Sequence, residues 1–201
     1  MLIAGLDIAR TCGIGLVRPG QSTSTWRALA LRAEGDDVWS VVDDYEGALR
    51  ALLTSEKPDF AAIERPLDVI VDHGAAKVNP AKDRVGKPQK RMINAKTTIT
   101  LSALCGVTIG VLNSLEIPFG IIAIPTWRKA YFGAGVKPVD GDWKALAVSW
   151  AERQGVLLPP TKAREDAAEA VGIGVAWQAC NHIPVRHHRA FMDLRTGRAA
   201  A

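Results

Sequence analysis

The sequence has little of what a disulfide framework or a zinc site requires. Only three of its 201 residues are cysteines, Cys12, Cys105 and Cys180, and they are widely separated, odd in number and without Cys-x-x-Cys spacing. The histidines, His73, His182, His187 and His188, invite a metal-binding interpretation, but the last three lie in the expected tail, where a surface or disordered role is favoured. We therefore exclude a disulfide scaffold and a structural zinc site, and we expect a reducing cytoplasm.

Long apolar runs are also missing. Asp7 and Arg10 interrupt the first apolar run too early for a secretory signal peptide. The longest apolar stretch, residues 101–112, is amphipathic and too short to span a bilayer. We therefore expect a cytoplasmic protein with no membrane partner.

Size and composition favour one domain with one sizeable core. The chain is 48% hydrophobic, which is typical of a globular domain of this length. The expected organisation is a domain over residues 1–181, interrupted by a basic loop insert at 66–94 and followed by a basic tail at 182–201. A loop of that length inside a compact domain is usually functional or disordered.

Positive charge is concentrated in two segments. The formal net charge of the chain is only +4, but residues 75–97 carry seven basic residues against Asp83. These basic residues are Lys77, Lys82, Arg84, Lys87, Lys90, Arg91 and Lys96. The segment from His182 onward adds four arginines against Asp193. Both segments favour a polyanionic partner.

The hydrophobic pattern predicts an α/β layered fold, in which helices flank a mixed sheet that begins with an antiparallel meander. The predicted strands cover residues 2–8, 14–17, 23–31, 60–64 and 119–124. The predicted helices cover about 38–55, 95–115, 142–154 and 162–179, with a short helix starting near Pro125. The helix at 95–115 is rich in small residues. It is a candidate dimer surface, but an ordinary core helix is an equally good interpretation.

Four carboxylates are placed where a catalytic site could use them. Asp7 and Glu64 each end an apolar strand, and Asp166 and Glu169 are three residues apart, so they project from one face of the last predicted helix. Acidic groups at the edge of a core lose hydration and repel each other unless a cation compensates them. Carboxylate oxygens suit Mg²⁺, for which Mn²⁺ can substitute. If the first and fourth strands are parallel neighbours, the sequence predicts two metal ions at one sheet edge.

Several blocks of the sequence, in order from residue 1 to about 180, resemble a known family. The blocks are Gly5-Leu6-Asp7, Gly13-Ile14-Gly15-Leu16-Val17, Pro58-Asp59-Phe60-Ala61-Ala62-Ile63-Glu64 and Asp166-Ala167-Ala168-Glu169-Ala170. Together they resemble the RuvC-type Holliday junction resolvases of the RNase H-like nuclease superfamily. The resemblance implies an RNase H-like fold with a five-stranded mixed sheet. It also implies a homodimeric Mg²⁺-dependent endonuclease that resolves four-way DNA junctions by two symmetric nicks.

The resemblance also implies roles for individual residues. Asp7, Glu64, Asp166 and Glu169 would be the catalytic metal ligands. The basic residues of the family near the active site are best matched by Arg128 and Lys144. With Lys129 and the seven basic residues of 75–97, they form the predicted DNA-binding set. Such a protein is expected at the nucleoid, or in the host cytoplasm if a phage encodes it.

The sequence departs from the family pattern at three places. Ile8-Ala9 stands where Pro-Gly usually follows the first acid, as in phage-type relatives. Glu169 replaces the common Asp of the fourth ligand, which puts the metal preference in doubt. Leu67 stands where an aromatic side chain would wedge into the junction, so the basic insert is a candidate for part of that role.

Three other functions are compatible with parts of the sequence. A related nuclease could cut RNA·DNA hybrids or structured RNA with the same chemistry, and it could do so as a monomer. Residues 5–11 also resemble the first phosphate loop of sugar kinases and actin-like ATPases, although the chain shows no convincing second loop. A junction-binding protein without catalysis would have no need for four assembled acids.

Overall fold

The computed structural model of the chain describes residues 1–66, 95–160 and 163–198. Most of the basic insert lies outside these ranges, together with Leu67. The predicted DNA-binding residues outside them are Lys77, Lys82, Arg84, Lys87, Lys90 and Arg91, and the side chain of Lys96 is not described either.

The described strands form one five-stranded mixed sheet, as predicted. The strands are β1 (Ile3–Asp7), β2 (Thr11–Val17), β3 (Arg27–Arg32), β4 (Phe60–Glu64) and β5 (Phe119–Ile122), in the order β3-β2-β1-β4-β5. Strands β1, β2 and β3 are antiparallel neighbours, whereas β1, β4 and β5 run parallel. The third strand starts later than predicted, because Thr23–Thr25 form a 3-10 turn that Ser22 caps.

Helices cover both faces of the sheet. They are α1 (Val38–Glu56), α2 (Ala95–Ser114), α3 (Ile124–Phe132), α4 (Trp143–Arg153), α5 (Arg164–Val175) and α6 (His188–Arg195). Helices α1 and α2 pack into one hydrophobic core, and α3 to α6 pack into the core on the other face. Local signals start two of these helices, because Asp37 caps α1 through the Ser40 amide and Asp142 caps α4 through the Ala145 amide.

Helix α6 is absent from the expectations drawn from the sequence, which make the helix at 162–179 the last one. The structure ends that helix at Val175 and adds α6 thirteen residues later in the chain. Phe191 of α6 is buried, and its ring centroid lies 5.5 Å from that of Phe60 and 5.6 Å from that of Trp177. Phe191 and Leu194, three residues apart, pack on the core from one face of this helix, but the basic residues of the segment favour a tail.

Helix α2 is only partly covered. Its residues Thr97–Ser114 are long and apolar enough to cross a membrane by length and composition, a test that core helices also pass. Thr108 is buried and shares a 2.9 Å hydrogen bond with the hydroxyl of Tyr45 in α1, so one face of α2 packs in the core. Only 22% of the Thr97–Ser114 window is buried, so the described residues leave one face of α2 uncovered, and small residues such as Ser102, Gly106 and Gly110 lie on it.

Glycines let α5 lie directly on the backbone of the sheet. A Cβ added at Gly13 would lie 2.0 Å from the carbonyl oxygen of Asp166, and one added at Gly5 would lie 2.1 Å from that of Ala170. A Cβ at Gly15 would lie 2.5 Å from the backbone of Ala170. The contacted atoms of Asp166 and Ala170 belong to the backbone and cannot move by a rotamer change. Any side chain at these glycine positions would therefore displace α5 from β1 and β2.

We expect Gly13→Ala to destabilise the protein by about 1–3 kcal/mol or more, because the new methyl group meets the backbone of α5. The matched control is Gly47→Ala in α1, where an added Cβ meets nothing within 4 Å in the described structure. That change should stabilise the protein by about 0.5–1 kcal/mol, since alanine is the better helix former. Urea unfolding measures both values, and equal effects of the two variants would contradict the close packing.

Candidate metal centre

The sheet brings the first two acids to one edge. Asp7 is the last residue of β1 and Glu64 is the last residue of β4. The two strands are parallel, and Leu6 lies opposite Ile63, so the acids follow each other in register at the carboxyl ends of neighbouring strands. The predicted pairing of these two strands is therefore confirmed.

Helix α5 brings the other two acids to the same place. One carboxylate oxygen each from Asp7, Asp166 and Glu169 lie within 4.8 Å of one another, a separation that a shared divalent cation can bridge. Glu64 lines the same cleft but is not a member of this close group. Its Oε2 instead accepts a 2.6 Å hydrogen bond from Nε1 of Trp127. Glu165 points to solvent.

Two basic side chains neutralise part of this acidic group. Nη2 of Arg128 lies 3.2 Å from Oε1 of Glu169. Nζ of Lys144 pairs with Oδ1 of Asp166 and lies 3.7 Å from Oε2 of Glu169. Both cations line the cleft, whereas Lys129 is exposed and lines a neighbouring cavity beside Gly133 and Gly135.

Aromatic rings hold Arg128 in place. Its guanidinium carbon lies 4.6 Å from the ring centroid of Trp143 and 5.4 Å from that of Trp127, within cation–π distance of both indoles. Its Nε is buried and has no hydrogen-bond partner in the part of the chain that the structure describes. The two indoles therefore limit the orientations that the guanidinium can adopt.

Burial makes Asp7, Glu64 and Glu169 reluctant to ionise. It raises the pKa of Asp7 well above the ordinary value, and the neighbouring carboxylates raise it further. Burial also raises the pKa of Glu64 to about 7, although the hydrogen bond from Trp127 lowers it. For Glu169, burial raises the pKa against the opposing effect of Lys144 and Arg128. A raised folded-state pKa stabilises the fold at low pH, and this contribution is lost as pH rises, for Glu64 between about 4.5 and about 7.

The geometry suits a divalent cation. The donors are all carboxylate oxygens, which hard cations prefer, and a cation would relieve the loss of hydration and the repulsion at once. Neither Trp127 nor Trp143 is among the site residues predicted from the sequence, and the contact of Trp127 with Glu64 and that of Trp143 with Arg128 were missed. Only the position of Trp127 directly before a predicted basic site residue could have drawn attention to it.

The fold is shared with solved structures of RuvC from Thermus thermophilus. One, in complex with a Holliday junction substrate, has a TM-score of 0.58 and 13% identity over 88% of this chain and 92% of that chain. Another has a TM-score of 0.55 and 16% identity over 98% of this chain and 97% of that chain. The crystal structure of the yeast mitochondrial Holliday junction resolvase Ydc2 gives a TM-score of 0.48 and 11% identity over 97% and 83%.

These likenesses show that the chain has a RuvC-like fold. The predicted RNase H-like α/β fold is therefore confirmed. Comparison of the sequence with protein-family models and with curated proteins gives no match.

We expect Asp7→Asn to stabilise the metal-free protein at about pH 8, because it removes an acid whose ionisation burial and the neighbouring carboxylates disfavour in the folded state. A gain of about 1 kcal/mol would raise Tm by about 2–4 °C in a chain of this length. The control Glu165→Gln neutralises an exposed acid in the first turn of α5 and should change stability by less than about 0.5 kcal/mol. Thermal unfolding in the presence of a chelator measures the Tm of both variants and of the unmodified chain. A lower Tm for Asp7→Asn than for the unmodified chain would contradict the idea that Asp7 destabilises the metal-free site.

Proposed function

We propose that the chain is a metal-dependent endonuclease that resolves four-way DNA junctions. The observation that carries this proposal is the gathering of four carboxylates, distant in sequence, into one cleft at the sheet edge of a RuvC-like fold. One solved structure with this fold is of RuvC in complex with a Holliday junction substrate, which supports branched DNA as the partner.

Asp7, Asp166 and Glu169, with Glu64 beside them, would hold the metal, which we propose to be Mg²⁺ with Mn²⁺ as a substitute. Bound divalent ions, two of them in this proposal, supply an activated water and stabilise the departing 3′ oxygen of the phosphodiester. All four residues offer carboxylate oxygens, and three of them already lie within bridging distance. Glu169 is the most deeply buried of the four, which suits the base of such a site.

The basic side chains of the cleft would bind the scissile phosphate. The four site acids, together with Asp142, which also lines the cleft, outnumber Arg128 and Lys144, so a phosphodiester is repelled until cations balance the charge. Arg128 and Lys144 now pair with Glu169 and Asp166, and a cation bound to those acids would free both side chains for phosphate oxygens. Arg128 is already stacked and oriented by Trp143, so it loses little rotational freedom on binding.

The basic insert would extend the DNA-binding surface. The insert follows Glu64 almost directly in the sequence. It contains six of the ten predicted DNA-binding residues, and these six lie outside the described ranges. Among the predicted DNA-binding residues that the structure describes, Lys129 directly follows Arg128 in the sequence and is exposed beside the cleft. Neutralising phosphates with this many cations would make binding strongly dependent on salt.

We further propose a homodimer that pairs through the uncovered face of α2. Ser102, Gly106 and Gly110 lie four residues apart on this face and are exposed, and Ile99 on the same helix is 58% exposed. A glycine inside a helix costs about 1 kcal/mol relative to alanine. An added Cβ at Gly106 or Gly110 would meet nothing within 4 Å in the described chain, so close approach of a second molecule is the best physical reason for both.

A nicking assay on a synthetic four-way junction, a linear duplex and an RNA·DNA hybrid, with and without Mg²⁺, tests the activity. We expect Mg²⁺-dependent cutting of the junction alone. Asp7→Asn and Glu169→Gln should each reduce cutting by at least about a hundredfold, the scale of several kcal/mol that metal ligation supplies. Junction binding should be retained or become tighter, because a negative charge is removed. Preferential cutting of the RNA·DNA hybrid would instead favour the alternative of a nuclease that acts on hybrids. The control is Glu165→Gln, which changes an exposed acid outside the site and should cut the junction like the unmodified chain.

The dimer is tested by Gly106→Arg, which places a long charged side chain on the uncovered face of α2. We expect the unmodified chain to sediment as a dimer and this variant to sediment as a monomer that no longer cuts a junction symmetrically. Gly47→Arg is the matched control, since Gly47 is also exposed in a helix with open space around it. A monomeric unmodified chain at micromolar concentration would contradict this assembly.

A further inference from the structure

Trp127 reaches Glu64, the strand-end acid of the cleft that stands outside the close group of Asp7, Asp166 and Glu169. It lies in the first turns of α3, behind Pro125, and its side chain is fully buried. Its Nε1 donates to Oε2 of Glu64 at 2.6 Å, across 63 residues of sequence. This distance is short for an N–H donor, as expected when the acceptor is a carboxylate.

The ring of Trp127 also contacts the helix that carries the other acids. A Cβ added at Gly172 of α5 would lie 3.0 Å from the Trp127 ring, so the indole rests against the bare backbone of α5. Asp166 and Glu169 project from this same helix. Trp127 therefore touches both supports of the site, namely the end of β4 through Glu64 and the helix α5 through Gly172.

We propose that Trp127 is a positioning residue for the metal site: its indole N–H fixes the Glu64 carboxylate by one oxygen and leaves the other available to a divalent cation. The inference rests on the proposed function. A glutamate at a strand end has a freely rotating terminal carboxylate, and the hydrogen bond selects one orientation before the metal arrives. Packing of the ring on α5 fixes the donor itself, so the orientation is set relative to the other acids.

Trp127→Phe removes the N–H donor and keeps most of the ring. We expect Mn²⁺ binding, followed by calorimetry or by the EPR signal of the free ion, to weaken about 10–100-fold, the usual effect of losing a group that orients a metal ligand. Trp177→Phe is the control, because Trp177 is equally buried in the same hydrophobic core but has no hydrogen bond to an acid of the cleft in the described structure. That control should bind Mn²⁺ like the unmodified chain.

A double-mutant cycle separates positioning from a general loss of packing. In the Glu64→Ala background, Trp127→Phe should have no further effect on Mn²⁺ affinity, since the carboxylate it orients is gone. An unmodified chain that binds no Mn²⁺ would overturn the proposed function together with this inference. If the unmodified chain binds Mn²⁺ and Trp127→Phe binds it equally tightly, the positioning role of Trp127 is overturned and the proposed function still stands.

A measurement on the intact indole covers the case in which Trp127→Phe fails to fold. The Nε1–H resonance of Trp127, assigned by single substitutions of the other five tryptophans, should shift when Mg²⁺ is added. The same resonance should shift in Glu64→Ala, which removes the acceptor. A resonance that stays in place in both experiments would overturn the inference.

Discussion

The contact between the backbone of α5 and the glycines of β1 and β2 is the constraint on which the rest of the site depends. Gly13 is the residue opposite Asp7 in the β1–β2 pairing, and it also meets the backbone of Asp166. The separation between Asp7 and the acids of α5 is thus set by main-chain atoms, which cannot adjust by rotamer changes. Because only glycine permits this approach, the composition of two strands decides whether carboxylates on separate elements come within bridging distance.

Close packing creates an electrostatic problem that the basic residues partly solve. The acids are poorly hydrated and repel each other, which is why burial raises the pKa of Asp7, Glu64 and Glu169. Arg128 and Lys144, which α3 and α4 carry to the cleft, offset the charge of the helix acids. A site of this kind is less stable than an apolar edge would be, and a bound cation would offset part of the difference. The instability of the empty site and the affinity proposed for a cation would therefore have the same origin.

Much of this architecture could be predicted from the sequence, because it follows from local pattern. Two apolar runs that each end in an acid predicted parallel strands with Asp7 and Glu64 at one edge, and three-residue spacing predicted the shared face of Asp166 and Glu169. Features that depend on distant contacts were missed. Helix α6 packs through the buried ring of Phe191 and the partly buried Leu194, a pattern too short to outweigh the basic charge of the segment. The offset of Glu64 from the other acids depends on a donor 63 residues away.

Trp127 is a core residue by position, but its chemistry also reaches the cleft. The ring of a buried indole packs against apolar neighbours, but its N–H still needs an acceptor, because an unpaired donor in the interior costs about 1–3 kcal/mol. A partly buried carboxylate such as Glu64 has the opposite need, since it lacks water to hydrate it. The hydrogen bond between them satisfies the indole N–H of Trp127 and the carboxylate of Glu64 at once, so the orientation of Glu64 is coupled to the stability of the core. Trp127 can therefore be a core residue and also take part in the site.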